Sequence, residues 1–186
     1  EGIWDWNIAS GEVYFSPRWK SMLGYSDGEI ANDYREWEHR LHPDDVARSK
    51  AAIRAYFNGD VPEYEFEHRL RHRDGSWRWI VARGVVVRNG DGEPVRMVGS
   101  HQDVTKRRQA EQTIRENEVQ LRAAERIQRH LLPHGHPHFA HYDIAGFLQP
   151  ADYAGGDAFD YLPRSPEVLD IAVSDVSGHG MGSALL

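Results

Sequence analysis

Cysteine is absent from the 186 residues. That excludes a disulfide scaffold, a thiolate-ligated zinc site and a cysteinyl-flavin photosensor. Long apolar runs are missing too. No stretch approaches the ~20 residues needed to cross a bilayer, and no signal peptide is visible. Glu1 opens in mid-pattern, as an internal piece would. A cytoplasmic location is therefore the expectation, with a membrane tether upstream left open. Basic excess is lacking as well: 22 Lys and Arg stand against 29 Asp and Glu, a net charge of -7. This argues against nucleic acid as a partner, because its binding faces concentrate Lys and Arg. With 40% hydrophobic and 27% charged residues, the chain has the balance of a globular protein. Its length suits one good domain, or a small domain plus extra elements.

Three zones divide the chain, without an internal repeat. Residues 1–105 hold every tryptophan and alternate like a sheet. Residues 106–132 are polar and helical, with neither Gly nor Pro before Pro133. Residues 133–186 turn to Gly, Pro and short apolar runs. In the first zone, "GIWDWNIASGEVYFS" reads as two strands around a Ser10-Gly11 turn. Ser16 and Pro17 read as the cap and first position of a helix carrying Trp19, Met22 and Leu23 and stopping at Gly24. "HPDDVARSKAAIRAYFNGD" predicts a longer helix with acids at its start and Gly59 at its end. In "YEFEHRLRH", Tyr64, Phe66, His68 and Leu70 share one face. Asp74-Gly75 marks a hairpin. "SWRWIVARGVVV" follows, with Trp77, Trp79, Val81, Val85 and Val87 on one face, and "VRMVGSHQDV" closes the sheet. The fold class is therefore α+β: a five-stranded antiparallel sheet with helices on one face.

These segments, ending in "VRMVGSHQDVTKRR", resemble a PAS domain of the PAS-fold-3 type over most of residues 1–108. Asp103, Val104 and Thr105 resemble the signal-output motif at which such a sheet meets the next helix. The resemblance implies either a sensory pocket or a dimer surface where sheet and helices face each other. The ligand is not named by the sequence, and a filled core serving as a spacer or dimerisation module stands as the alternative. Haem would need an axial histidine; His39, His42, His68, His72 and His101 are the candidates. His42 is read as a turn residue. His68 and His101, on strand faces, are read as hydrogen-bonded structural histidines. Trp37, Trp77 and Trp79 are read as core packing.

Along the second zone, Ala110, Ile114, Asn117, Leu121, Ala124, Gln128 and Leu131 are spaced 4, 3, 4, 3, 4, 3. That is a heptad seam, and buried amides at Asn117 and Gln128 would weaken a coiled coil while fixing its register. A parallel homodimer is expected; the alternative is one amphipathic helix lying on its own protein. Such a marginal seam suits a pairing that shifts between two states.

In the third zone, "AGGDAFDYLPR" is one letter from the GGDEF signature of diguanylate cyclases. Only residues 133–154 separate it from the helix, too few for the first half of a cyclase, and Ala158 stands where the catalytic acid belongs. The surrounding pattern predicts a strand at "YDIAGFLQP", an Asp-bearing turn, a strand "LDIAVSD", a second Asp-bearing turn and a helix start. Two aspartates beside glycines, which let backbone approach an ion or phosphate, are hard oxygen donors suited to Mg or Mn.

"LLP…YDIAG…PA…GGDAFDY…L.IAVSDVSGHG..SALL" resembles the start of PPM-type serine/threonine phosphatases of the sporulation-protein-IIE and sigma-B-regulator group. The resemblance implies that Asp157 and Asp175 bind two Mn or Mg ions, with Asp175 bridging and the Val176 carbonyl adding an oxygen. It implies a phosphoprotein substrate, such as an anti-sigma-factor antagonist. Asp160 is read as a further ligand, an outer partner or a cap. His179 is offset by two residues from the histidine of the wider superfamily and is given no role. His130, His134, His136, His138 and His141 crowd one loop, where adventitious zinc or nickel competes with plain solvation. The expected organisation is a PAS domain at 1–105, a coiled-coil linker at 106–132 and the first part of a phosphatase domain at 133–186. Because later metal aspartates of that family are not in this stretch, it is expected to be inactive alone, and residues beyond roughly 135 to be loosely ordered. Two rivals remain: a PAS binding module without catalysis, and a sensor histidine kinase, for which His130 lacks the expected acidic neighbour.

Overall fold

Strand β1 (Gly2–Asn7) pairs antiparallel with β2 (Val13–Phe15) across a turn in which Gly11 sits at φ +77°, a left-handed value natural to glycine. The computed structural model of the chain describes residues 1–138, 141–149, 153 and 155–175. Contacts divide it into two units, Glu1–Gln109 and Ala110–Leu186. In the first unit Ser16 caps α1 (Pro17–Met22) by accepting from the Trp19 N–H, and Pro17 occupies a position whose N–H would have no helical partner. Asp33 caps α2 (Tyr34–Glu38) in the same manner. His42, read from the sequence as a plain turn residue, caps α3 (Pro43–Asn58): its Nδ1 accepts from the Asp44 N–H at 3.2 Å.

Three long strands follow: β3 (Tyr64–Arg71), β4 (Trp77–Arg88) and β5 (Pro94–Asp103). All pairs are antiparallel, and the sheet order is β2-β1-β5-β4-β3. The first strand thus lies beside the last, and the end of β5 lies inside the sheet rather than at its edge. Phe15, Trp19, Leu23, Leu70, Ile80 and Met97 are fully buried between the helices and one sheet face.

The register corrects one sequence expectation. His68 faces Ile80 and Phe66 faces Ala82, and directly opposed residues share a face. The core side of β4 is therefore Ile80, Ala82 and Gly84. Trp77 and Trp79 lie on the other face, half-buried, and Val85 and Val87 are exposed there. Arginines cover the two tryptophans instead: Arg71 lies over Trp77, and Arg69 and Arg108 lie over Trp79. Trp37 is in the core as expected. Gly99 permits the close fit of β5 on Trp4; a Cβ there would overlap both the indole and the Arg83 carbonyl.

Helix α4 (Thr105–Leu131) begins directly after β5. In the second unit, β6 (Asp157–Ser165) and β7 (Val168–Asp175) form an antiparallel ribbon. The expected strand at "YDIAGFLQP" does not form: residues 143–149 carry no strand. In the GGD segment, expected as a turn, Gly156 lies in a bend and Asp157 opens β6. The two runs joined by the shortest connection pair with each other, and Gly146 packs on the Phe159 ring where any Cβ would collide. Among the described residues, no helix is long and apolar enough to cross a membrane.

Burial holds the His68 imidazole down to about 4 from an ordinary 6.5, and burial with the neighbouring His68 holds His101 well below its usual value. Between pH 6.5 and 4 the unfolded chain binds protons that the folded chain refuses. Stability is therefore full above about pH 6.5 and is lost as pH falls through that window. At pH 5 the His68 contribution alone removes about 2 kcal/mol, roughly 8 °C in Tm. Thermal melts at pH 7.5 and 5.0 should show that fall, and His68→Leu, although less stable at pH 7.5, should show a shallower one. Equal slopes in both proteins would remove the histidine as the cause.

Candidate functional site

In the first unit the conspicuous chemistry is internal. His68 on β3 and His101 on β5 are buried, with ring centroids 5.2 Å apart. Each accepts from an indole: Trp37 Nε1 donates to His68 Nε2 at 3.2 Å, and Trp19 Nε1 donates to His101 Nδ1 at 2.8 Å. A neutral imidazole that accepts at one nitrogen carries its proton on the other. The His68 proton therefore sits on Nδ1, which has no acceptor among the described residues. Beside the pair lies a cavity of about 40 Å³ lined largely by aromatic rings, among them Trp4, Trp6, Phe15, Tyr34, Trp37 and Tyr64. That volume holds about three to four waters, by the rule of roughly 10–15 Å³ each. A haem or flavin would need the aromatic side chains to move. Burial pushes the Tyr34 hydroxyl up to about 12, so the lining carries no charge at neutral pH.

The start of α4 is fastened to the sheet at Trp79. The Val104 N–H donates to the Trp79 carbonyl at 2.8 Å, and the Trp79 N–H donates to Thr105 Oγ1 at 2.8 Å. Asp103 Oδ1 accepts from the Thr105 N–H at 2.8 Å, as a helix cap does. Arg108, one turn on, lies 4.2 Å from the Trp79 ring centroid and pairs with Glu67.

In the second unit Gln128 is the residue whose role the sequence did not disclose. It is buried, and its amide grips the backbone of the GGD segment: Nε2 donates to the Gly155 carbonyl at 2.5 Å, and Oε1 accepts from the Gly155 N–H at 3.2 Å. Ala124 is buried on the same stripe. These two positions of the heptad seam are thus covered by their own chain, whereas Ala110, Ile114 and Asn117 are exposed. Asp157 and Asp175 are register partners at the open end of the β6–β7 ribbon, and both are exposed. Directly opposed residues project from one face, so the two carboxylates share a face of the ribbon. Like charges so placed repel unless a cation lies between them.

The donor chemistry suits a hard divalent ion, and it supplies two ligands. Among the described residues no group of three His, Cys, Asp or Glu side chains is close enough to hold one. Val176 and His179 lie outside the described residues. Asp160 lies inside β6 rather than at a cap, and its Oδ1 accepts from the neighbouring Tyr161 N–H. His130, expected in the loop, lies instead in the last turn of α4, where its Nδ1 bonds the Arg126 carbonyl, and its ring is 6.0 Å from that of His134.

A five-stranded antiparallel sheet with helices over a small aromatic pocket, and a capped helix leaving its last strand, is the architecture of a sensory module. The PAS fold family matches residues 12–101, and this part of the chain is a PAS domain. A sensory box histidine kinase/response regulator from Burkholderia thailandensis is 42% identical with a TM-score of 0.57, over 66% of this chain and 90% of that one. The N-terminal domain of a diguanylate cyclase with PAS/PAC sensor from Marinobacter aquaeolei is 26% identical with a TM-score of 0.51, over 58% of this chain and 99% of that one. The protein y4lL of Sinorhizobium fredii is 30% identical over 116 residues, 61% of this chain, and the chain spans 13% of that protein's length.

Gln128→Ala should free the Gly155 backbone. Leaving such groups without partners costs about 1–3 kcal/mol, so the Gly155 amide should exchange with deuterium roughly tenfold faster while Ile80 in the first unit is unaffected. Unchanged exchange at Gly155 would mean that the amide grip holds nothing in place.

Proposed function

We propose that this chain is the sensory and transmission part of a PAS-regulated protein serine/threonine phosphatase. Its substrate would be a phosphoserine or phosphothreonine protein such as an anti-sigma-factor antagonist. The observation that carries the reading is the Gln128 grip: a helix that starts at the PAS signal-output residues holds, near its other end, the backbone that precedes Asp157. A shift or rotation of α4 would move Gly155, and Asp157 with it, relative to its strand partner Asp175.

Asp157 and Asp175 would hold Mn or Mg, together with the Val176 carbonyl and acids from elsewhere in the parent protein. When bound, two such ions supply a low-pKa water and a clamp for the phosphoryl oxygens. The chain's own part is to set the distance between two carboxylates. The β6–β7 ribbon supports this incomplete-domain reading, because an isolated two-stranded ribbon is at best marginally stable in water. Its Ile171 and Val173 are also exposed, at 55% and 80%. The exposed first half of the seam, Ala110 to Asn117, supports pairing with a second copy in parallel. A single heptad of such a seam binds weakly, which suits a signal-dependent association.

The test uses the parent protein with manganese and a phosphoserine protein substrate. Asp175→Asn and Asp157→Asn should each lower turnover at least a hundredfold and reduce manganese uptake in calorimetry. Gln128→Ala should change turnover several-fold without loss of the PAS domain's melting transition. Undiminished turnover in Asp175→Asn would leave a binding module alone. ATP-dependent labelling lost in His130→Gln would instead select the histidine-kinase reading, which the likeness to the Burkholderia sensory box histidine kinase supports.

A further inference from the structure

We propose that the cleft between the end of α2 and the β3–β4 turn is a binding site for a phosphate-type oxyanion. The cleft measures about 370 Å³, within the range of small-molecule sites. Its lining gathers Arg40, Arg71 and Arg73 with His39 and His72, against a single carboxylate, Glu36. The lining is richer in cationic side chains than the chain as a whole, whose net charge is -7, and Asp74, outside it, meets His72 Nδ1 at 3.0 Å. Part of the positive charge is met from within. Arg40 Nη1 bonds the Glu36 carbonyl at 2.6 Å and pairs with the Glu36 carboxylate, and Arg73 Nη1 meets Glu29, outside the lining, at 3.0 Å. Arg71 pairs with no carboxylate among the described residues; its guanidinium lies 5.8 Å from the Trp77 ring centroid. A guanidinium carries five N–H donors, so free donors remain on all three arginines.

Two of the arginines meet at one ring. Arg40 and Arg73 both lie over the ring of Tyr25, at 5.0 and 5.9 Å. Like charges held over one ring repel, and an anion between them removes the cost. The walls are set by the backbone rather than by the side chains. The Arg71 N–H donates to the Arg40 carbonyl at 2.8 Å, and the Arg73 N–H donates to the Leu23 carbonyl at 2.9 Å. The β3 end is thereby tied to the ends of α2 and α1. Gly24, at φ +83°, leaves room for the His72 ring, which a Cβ would strike at 2.6 Å. Such a fixed fork of guanidiniums matches the oxygens of phosphate, which a compact ammonium does not.

The test is a nitrogen-15 NMR titration of the purified chain with sodium phosphate, against sodium chloride at matched ionic strength. Phosphate should produce saturable shifts at the Nε–H groups of Arg40, Arg71 and Arg73 and at the Gly75 amide. The double variant Arg71→Ala, Arg73→Ala should bind at least tenfold more weakly. Arg71→Lys, which keeps the charge and loses the fork, should bind at least threefold more weakly. Arg83→Ala, an arginine paired with Glu65 and outside the cleft lining, should bind as the wild type does. O-phosphoserine binding more tightly than inorganic phosphate assigns the site to a carried phosphate, and the reverse order to the free ion. Equal shifts with chloride, shifts spread over all arginines, or undiminished binding by the folded double variant would overturn the proposal.

Discussion

Asp45 is fully buried and charged, and the first unit is organised around that fact. Its carboxylate accepts from Arg69 Nε at 2.8 Å, from Arg69 Nη2 at 3.0 Å and from the Arg69 backbone N–H at 3.0 Å. The Arg69 hydrogen bonds hold the carboxyl below its ordinary range against the opposing effect of burial. Removing one partner of such a pair costs about 3–5 kcal/mol, because the other charge is left buried and alone. The pair pins the first turn of α3 to the middle of β3. That places His68, one residue earlier, into the core, and sends the Arg69 side chain to the outer face. There Arg69 lies over Trp79, and Trp79 carries Arg108 of α4. One ion pair therefore joins the helical layer, the sheet and the departing helix.

The two histidines show the same economy in reverse. A buried imidazole is costly when charged and tolerable when neutral and bonded. Each of these has an indole donor, and each is driven towards the neutral form. They fix the aromatic packing around a cavity with room for water and little more. The uncharged pocket and the charged outer face are thus separated by the thickness of the sheet. β3 and β4, whose residues alternate between the two faces, border both the core around the pocket and the start of α4.

Much of this was legible, and the limits have physical causes. Caps and turns at Ser16, Asp74-Gly75 and Gly59 depend on neighbours in sequence, so their signals are local. Alternation told which residues of β4 share a face, but both sets contain large apolar side chains, so it did not tell which set faces the core. Only the pairing of His68 with Ile80 decides that, and it depends on how many residues the hairpin turn consumes. The partners of His68 and His101 lie 31 and 82 residues away, beyond any window of periodicity. His42 as a cap was missed because imidazole is an uncommon choice for that position.

The connecting helix teaches the sharper lesson. A 4-3 repeat records that one stripe of a helix is buried, not what buries it. At Ala110, Ile114 and Asn117 no described residue covers the stripe, whereas at Ala124 and Gln128 the chain itself does. An amide at a seam position suggests register control between two helices. Here the same amide has one donor and one acceptor turned on a single residue's backbone, that of Gly155, a geometry that only a planar donor–acceptor group can satisfy. Serine would reach too short a distance, and glutamate would lack the donor. The residue's chemistry is thus matched to a backbone partner, and a helix pair extending through Gln128 would have to break those two bonds first. Pairing beyond Leu121 and holding the GGD backbone would therefore compete for one side chain.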